Sequence, residues 1–223
     1  MTILTTARLG IGLMALAALA ACGNGDQDQA NLIKSLPKAI FSKKTPPAPV
    51  SGQQLAQALA GTSASITLFV NEKSEIQFLM QDLQRNGPYR SYGSSSRQVI
   101  VMRDGMITST RGLGGDLMSS EESALLAMVQ RKAPGTANYL QRYLTPEDLT
   151  VTFEYGCDAI PGETIPVVAG EVNTSARVVT AVCTGAAGEF TNTYAVDSYG
   201  QILSSRQWLG ETLGYMQTQA VRR

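Results

Sequence analysis

The sequence predicts a mainly β fold: one antiparallel meander sheet, strongly bent, with a few short helices, one of them tucked into the concavity. Three observations carry this. Strand-like runs succeed one another from Ser63 onward with a single helical interruption, which means antiparallel neighbours rather than βαβ units. Several runs are apolar at alternate positions only, as in Thr191-Asn192-Thr193-Tyr194-Ala195-Val196, so one face packs and the other is wetter. Asp104-Gly105 stands between two apolar-rich runs, and this dipeptide tolerates the positive φ of a tight hairpin.

Before the strands comes an address. Residues 1–8 are polar with one positive charge, Arg8, and residues 9–21 are apolar and rich in Leu and Ala. That run is too short for a bilayer-spanning helix, which needs about 20 residues. It matches the apolar region of a secretory signal. Leu19-Ala20-Ala21-Cys22 fits a bacterial lipobox at each position, which predicts cleavage before Cys22 and acylation of the new N-terminal cysteine. The alternative is a plain signal peptide with Cys22 incidental. Gly23 lacks the Asp that favours inner-membrane retention in enterobacteria, so the expected location is the outer membrane, facing the periplasm. The predicted organisation is a signal peptide over 1–21, a lipid-anchored Pro-rich tether with short helices over 22–62, and one β-rich domain over 63–223.

The elements follow in order. Residues 23–30 form a small, polar exit from the anchor. Leu32, Ile33, Leu36, Ile40 and Phe41 recur at near-helical spacing around Pro37, the pattern of a short amphipathic helix. Residues 43–49 read as a polyproline-like spacer, and 53–59 as a helix ending near Gly61. Strands are expected at 66–70, 74–79, 89–95, 97–102 and 106–110, with Asn86-Gly87-Pro88 as punctuation. Ser119 and Glu122 have capping-box spacing, and Leu125, Met128 and Val129 form an apolar helical stripe closed by Ala133-Pro134-Gly135. Further strands are expected at 139–144, 149–156, 164–171, 177–184, 190–196 and 201–209, with Ser198-Tyr199-Gly200 turning the last hairpin.

Composition narrows the chemistry. The chain balances 18 basic against 18 acidic residues, so no global field recruits nucleic acid. It contains no histidine, which excludes a Ser-His-Asp triad, a Cys-His pair and an imidazole zinc site. No metal site or cofactor is expected. Beyond Cys22 the cysteines are Cys157 and Cys183; in an oxidising compartment they pair, and two free buried thiols are the alternative.

Four stretches resemble a known family. They are Arg103-Asp104-Gly105-Met106-Ile107, then Arg111-Gly112-Leu113-Gly114-Gly115-Asp116-Leu117-Met118, then Phe190-Thr191-Asn192-Thr193-Tyr194, and finally Ser205-Arg206-Gln207-Trp208 with Gly214-Tyr215. In that order behind a lipobox, they are similar to the YjbF/GfcB lipoproteins of group 4 capsule and exopolysaccharide production. The resemblance implies a domain like the half-open barrels of lipoprotein carriers, and a role in polysaccharide export or assembly beside other envelope proteins. It supplies no catalytic residue.

Candidate binding residues are Arg206, Trp208 and Arg111. Trp stacks on sugar faces and Arg donates to hydroxyls or carboxylates. Alternation puts Arg206 and Trp208 on one face and Gln207 on the other; the competing reading packs Trp208 in the core under the Arg206 stem. Tyr194, Tyr199 and Tyr215 read as packing residues at the sheet rim. Gly112, Gly114 and Gly115 could cradle an anion, but Asp116 would repel it, and a tight turn fits better. The pairs Glu121-Glu122 and Glu147-Asp148 lie beside capping or turn positions and do not point to glycoside hydrolysis, which needs two carboxyls facing one cleft. The sequence therefore predicts a non-catalytic outer-membrane lipoprotein that binds a partner protein or glycan. The alternatives are an apolar-ligand carrier using a half-barrel cavity and a carboxylate-based glycan hydrolase.

Overall fold

The computed structural model describes residues 48–223; the signal segment, Cys22, Gly23 and the apolar run from Leu32 to Phe41 lie outside the described residues. Helix α1 spans Gly52–Gly61. Its capping box is formed by Ser51, which accepts from the Gln54 amide at 3.2 Å, and by the Gln54 side chain, which accepts from the Ser51 amide at 2.8 Å. Five strands follow: β1 (Ile66–Asn71), β2 (Ile76–Asn86), β3 (Tyr89–Gly93), β4 (Val99–Arg103) and β5 (Met106–Arg111). Next come β6 (Leu117–Glu121), helix α2 (Ser123–Arg131), β7 (Gly135–Leu144), β8 (Thr150–Ala169), β9 (Val172–Gly185), β10 (Gly188–Val196), β11 (Ile202–Trp208), the short helix α3 (Gly210–Leu213) and β12 (Tyr215–Arg222).

All twelve strands join one antiparallel sheet in the order β5-β4-β3-β2-β1-β12-β11-β10-β9-β8-β7-β6. Each strand pairs with its sequence neighbour, and β1 pairs with β12. The sheet is thus nearly closed into a barrel, with a single seam between β5 and β6. The predicted β4–β5 hairpin is present: Arg103 faces Met106, and Asp104 and Gly105 take φ of 50° and 93°. A Cβ on Gly105 would lie 2.6 Å from the Ile202 carbonyl oxygen, so both the turn and its contact with β11 need glycine.

Four local expectations are corrected. Ser119 does not cap a helix. It lies in β6, paired with Arg142, and the N-cap of α2 is Glu122, which makes no capping hydrogen bond. The predicted strands 149–156 and 164–171 are one strand, β8, with a bulge between Pro161 and Thr164 where a break was expected. β12 is an additional strand, so the last hairpin turns through residues 209–214 and not at Ser198-Tyr199-Gly200. Tyr199 is 91 % exposed and packs nothing, whereas Tyr194 is buried.

Two clusters fill the barrel interior. One gathers Leu125, Leu126 and Val129 of α2 with Tyr139, Tyr155, Val179 and Tyr194. The other gathers Phe69, Met80, Ile100, Ile107, Leu117 and Met216. Helix α2 therefore occupies the concavity, as expected. Cys157 and Cys183 face each other across β8 and β9, with Cα atoms 4.0 Å apart, and form a disulfide inside the first cluster. Closing a loop of this length constrains the unfolded chain by roughly 3–4 kcal/mol in the chain-entropy model.

A third cluster lies on the outer face. In β9, Val179, Ala181 and Cys183 belong to the interior, while Val172 and Ala176 pack with Val167, Ala195 and Leu203. Odd and even positions of a strand point to opposite sides. The far end of the β8–β9 hairpin is thus an arm lying against the outside of the barrel. In β8 the one-residue bulge makes the required flip: Cys157 and Ala159 face in, and past it Ile165 and Val167, also odd, face the outer cluster. The arm's tip meets β12, where the Glu171 amide donates to the Val221 carbonyl at 2.8 Å and Arg222 pairs with Glu171.

Candidate functional site

The interior offers little room. Buried polar groups there bond to one another: the Tyr143 hydroxyl donates to Gln141 Oε1 at 3.1 Å, and Gln141 Nε2 donates to the Trp208 carbonyl at 2.9 Å. Asn192 Nδ2 donates to the Tyr194 hydroxyl at 3.2 Å. Gln207 accepts from the Ile107 amide at 3.0 Å, which satisfies edge strand β5 from within. Burial pushes the phenols up, Tyr139 to about 12, with Tyr143 and Tyr194 raised as well. A cavity between Thr67, Tyr92, Met102, Ile202 and Thr218 measures about 60 Å³. That is far below the roughly 300–1,000 Å³ of typical ligand pockets. An apolar-ligand carrier needs the space that α2 and the tyrosines fill.

Arg111 and Asp116 work at the seam. Arg111 donates to the Leu117 and Met118 carbonyls, each at 3.2 Å, and to the Thr110 carbonyl. Asp116 accepts from the Gly112 and Leu113 amides at 2.8 and 3.1 Å and from the Thr110 hydroxyl at 2.9 Å. Gly112, Gly114 and Gly115 have φ near 80°, but the Gly112 and Leu113 amides, which such a loop could offer an anion, already face the protein's own carboxylate. The tight-turn reading is the one the geometry supports, and it joins strand to strand.

Arg206 and Trp208 lie on the side of β11 opposite Gln207, whose buried side chain points inward. Arg206 donates from Nε and Nη2 to the two Glu72 oxygens at 2.7 and 2.8 Å, and its guanidinium carbon lies 3.3 Å from the Tyr215 ring centroid. Tyr215 packs edge-on to Trp208 at 5.1 Å, and Trp208 stacks against Phe190 at 6.3 Å. Half-buried Trp208 therefore both packs on the core and continues an aromatic row to the surface. Gln217 donates to Glu72 Oε1 at 2.7 Å. The arginine beside it holds the Glu72 carboxyl below its ordinary value, opposed by burial. Sequence reasoning missed Glu72 and Gln217: one lies in the β1–β2 turn, the other in unpredicted β12. Beside this cluster, between arm and wall, runs a groove of about 240 Å³.

Among the described residues the carboxylates do not converge as a hydrolytic pair. Glu121 bonds Arg142 on the surface, while Glu122 is buried against Arg103 at 3.2 Å and Ser120 at 3.1 Å. Asp82, Asp197 and Glu171 each pair with an arginine. Glu72 and Glu171 are held low. A general acid needs the opposite shift.

Together these features define a class: a nearly closed antiparallel barrel with a packed interior and its polar constellations on the wall and seam. The fold is similar to that of the hypothetical lipoprotein YmcC from Escherichia coli K12, with a TM-score of 0.67 and 15 % identity, covering 77 % of this chain and 90 % of that one. The chain belongs to the YjbF family, the group 4 capsule polysaccharide lipoproteins (gfcB), whose family model matches residues 33–221. No protein of curated function matches the chain in sequence.

Proposed function

We propose that this protein is a non-catalytic lipoprotein, acylated at Cys22 and held at the periplasmic face of the outer membrane, that assists export or assembly of a capsule or exopolysaccharide. It acts by binding a partner export protein or the glycan itself. The observation that carries this reading is the filled interior of a barrel from a capsule polysaccharide family. With Tyr139, Tyr155, Tyr194 and α2 occupying the concavity, recognition falls to the outer surface. There Arg206 and Trp208 are the candidate contacts, and Arg111 holds the seam closed.

The engaged carboxylates and the absence of histidine support a binding role over hydrolysis. Deleting the chain and measuring surface polysaccharide tests the role: polymer should fall, and unchanged polymer overturns it. A Cys22→Ser variant should lose acyl-chain incorporation and fail to restore the polymer; full complementation by it would show that anchoring is dispensable.

A further inference from the structure

We propose that the groove between the β8–β9 arm and the barrel wall seats one neutral, hydroxyl-rich sugar residue. This rests on the polysaccharide reading above and gives it a place and a ligand class. Ile165 and Val178 supply an apolar side, and Thr193, Ser204, Arg206 and Gln217 supply the polar one. That mixture suits a pyranose, whose ring carries apolar C–H faces and a hydroxyl rim. At about 240 Å³ the groove holds a single residue of a chain that continues past it.

The donor is prearranged. Glu72 grips Arg206 through Nε and Nη2, Tyr215 lies beneath the guanidinium, and Nη1 is not taken by Glu72. A side chain already fixed loses little conformational freedom on binding. Two other recesses are larger: one of about 490 Å³ beside Leu79 and Leu83, the other of about 420 Å³ beside Glu121 and Asn138. Neither has a guanidinium clamped in this way.

Charge sets the class. Glu72 neutralises Arg206, so an acidic sugar finds no net positive charge and meets a carboxylate beside it. A neutral sugar loses nothing by this and accepts from Nη1. Glu72 is thus the residue that selects against acidic ligands.

The test uses the mature, acylated full-length protein in lauryl dimethylamine oxide, free of sugar-headed detergent. Binding is measured by titration calorimetry and saturation-transfer NMR. The probes are neutral gluco-, galacto- and manno-oligosaccharides, with oligogalacturonate of equal length. At least one neutral probe should bind, with Arg206→Ala and the double variant Thr193→Val/Ser204→Ala each weakening it about tenfold or more. Glu72→Gln should raise affinity for oligogalacturonate by a similar factor. Circular dichroism confirms that each variant is folded. No binding of any neutral probe, binding unchanged in both groove variants, or wild-type preference for the acidic probe overturns the inference. If deletion still lowers surface polymer in that case, the broader role stands without this site. If groove binding is found but deletion leaves the polymer unchanged, the site stands and the role falls.

Discussion

Arg103 and Glu122 meet where β4 approaches the start of α2, and Glu122 has only 2 % of its side chain exposed. Removing the arginine strands a buried carboxylate. Arg103→Met is expected to cost on the order of 3 kcal/mol, seen as a lower urea midpoint, and Arg103→Met/Glu122→Leu should recover most of it. Equal losses in both variants would mean that packing, not charge, governs the site. Glu72–Arg206 behaves differently because both partners are about a third exposed, and such pairs contribute about 1 kcal/mol or less. Arg206 holds the Glu72 carboxyl below its ordinary 4.5, so its contribution is complete above that pH and is lost as pH falls through the depressed value. Glu72→Gln should therefore flatten the fall in urea midpoint as pH drops below the ordinary 4.5; an unchanged slope would remove the pair from the acid response. The side-by-side placement of Arg206 and Trp208 was legible from strand alternation alone. Their partner was not: Glu72 is 134 residues from Arg206, and only the pairing of β1 with β12 brings it there.

At the level of elements, the bulge between Pro161 and Thr164 absorbs one extra residue of β8 and so keeps Ile165 and Val167 on the outer cluster. Deleting Gly162 removes the extra residue, so alternation runs unbroken from Pro161 while Ile165 and Val167 still face Ala195 and Leu203. The barrel should remain folded with the arm docked, and limited proteolysis should spare residues 163–176 as in the wild type. Cleavage there would show that the bend at the bulge, and not the facing of Ile165 and Val167 alone, holds the arm. The same element explains one sequence-level miss. Pro161-Gly162 is ordinary turn punctuation, and nothing local distinguishes a bulge in a long strand from a break between two short ones. Ser119 and Glu122 misled for a related reason: they satisfy a local capping rule, but pairing of β6 with β7 takes Ser119 into the sheet. β12 went unread because Tyr215–Arg222 mixes Gln and Thr with small apolar residues, and its strand character comes from neighbours on both sides. The β4–β5 hairpin and the apolar stripe of α2 were legible because their signals are local.

For the molecule as a whole, the titratable inventory predicts an unusual pH profile. The chain has no histidine, the side chain that ordinarily titrates between pH 5 and 8. Thermal stability should be flat from pH 6 to 8, and a step in that window would reveal a strongly perturbed group. Burial raises Tyr139, Tyr143 and Tyr194, so the fold favours their neutral forms. Their contribution is complete below about pH 10, the ordinary tyrosine value, and is withdrawn as pH rises from there. Phenolate absorbance and loss of circular dichroism should therefore rise together in alkali rather than in sequence. The ring itself has a consequence in time. Its closing ladder joins the first strand to the last, while the seam lies mid-chain between β5 and β6. A chain delivered N-terminus first can zip hairpin after hairpin, yet β1 has no partner on its outer side until β12 has arrived. Until then the nascent protein carries open edges at β1 and at whichever strand came last, and these edges invite pairing with other chains. Strand β12 thus serves as a completion check, and an eleven-strand product stopped at Gly214 would be adhesive rather than merely shorter.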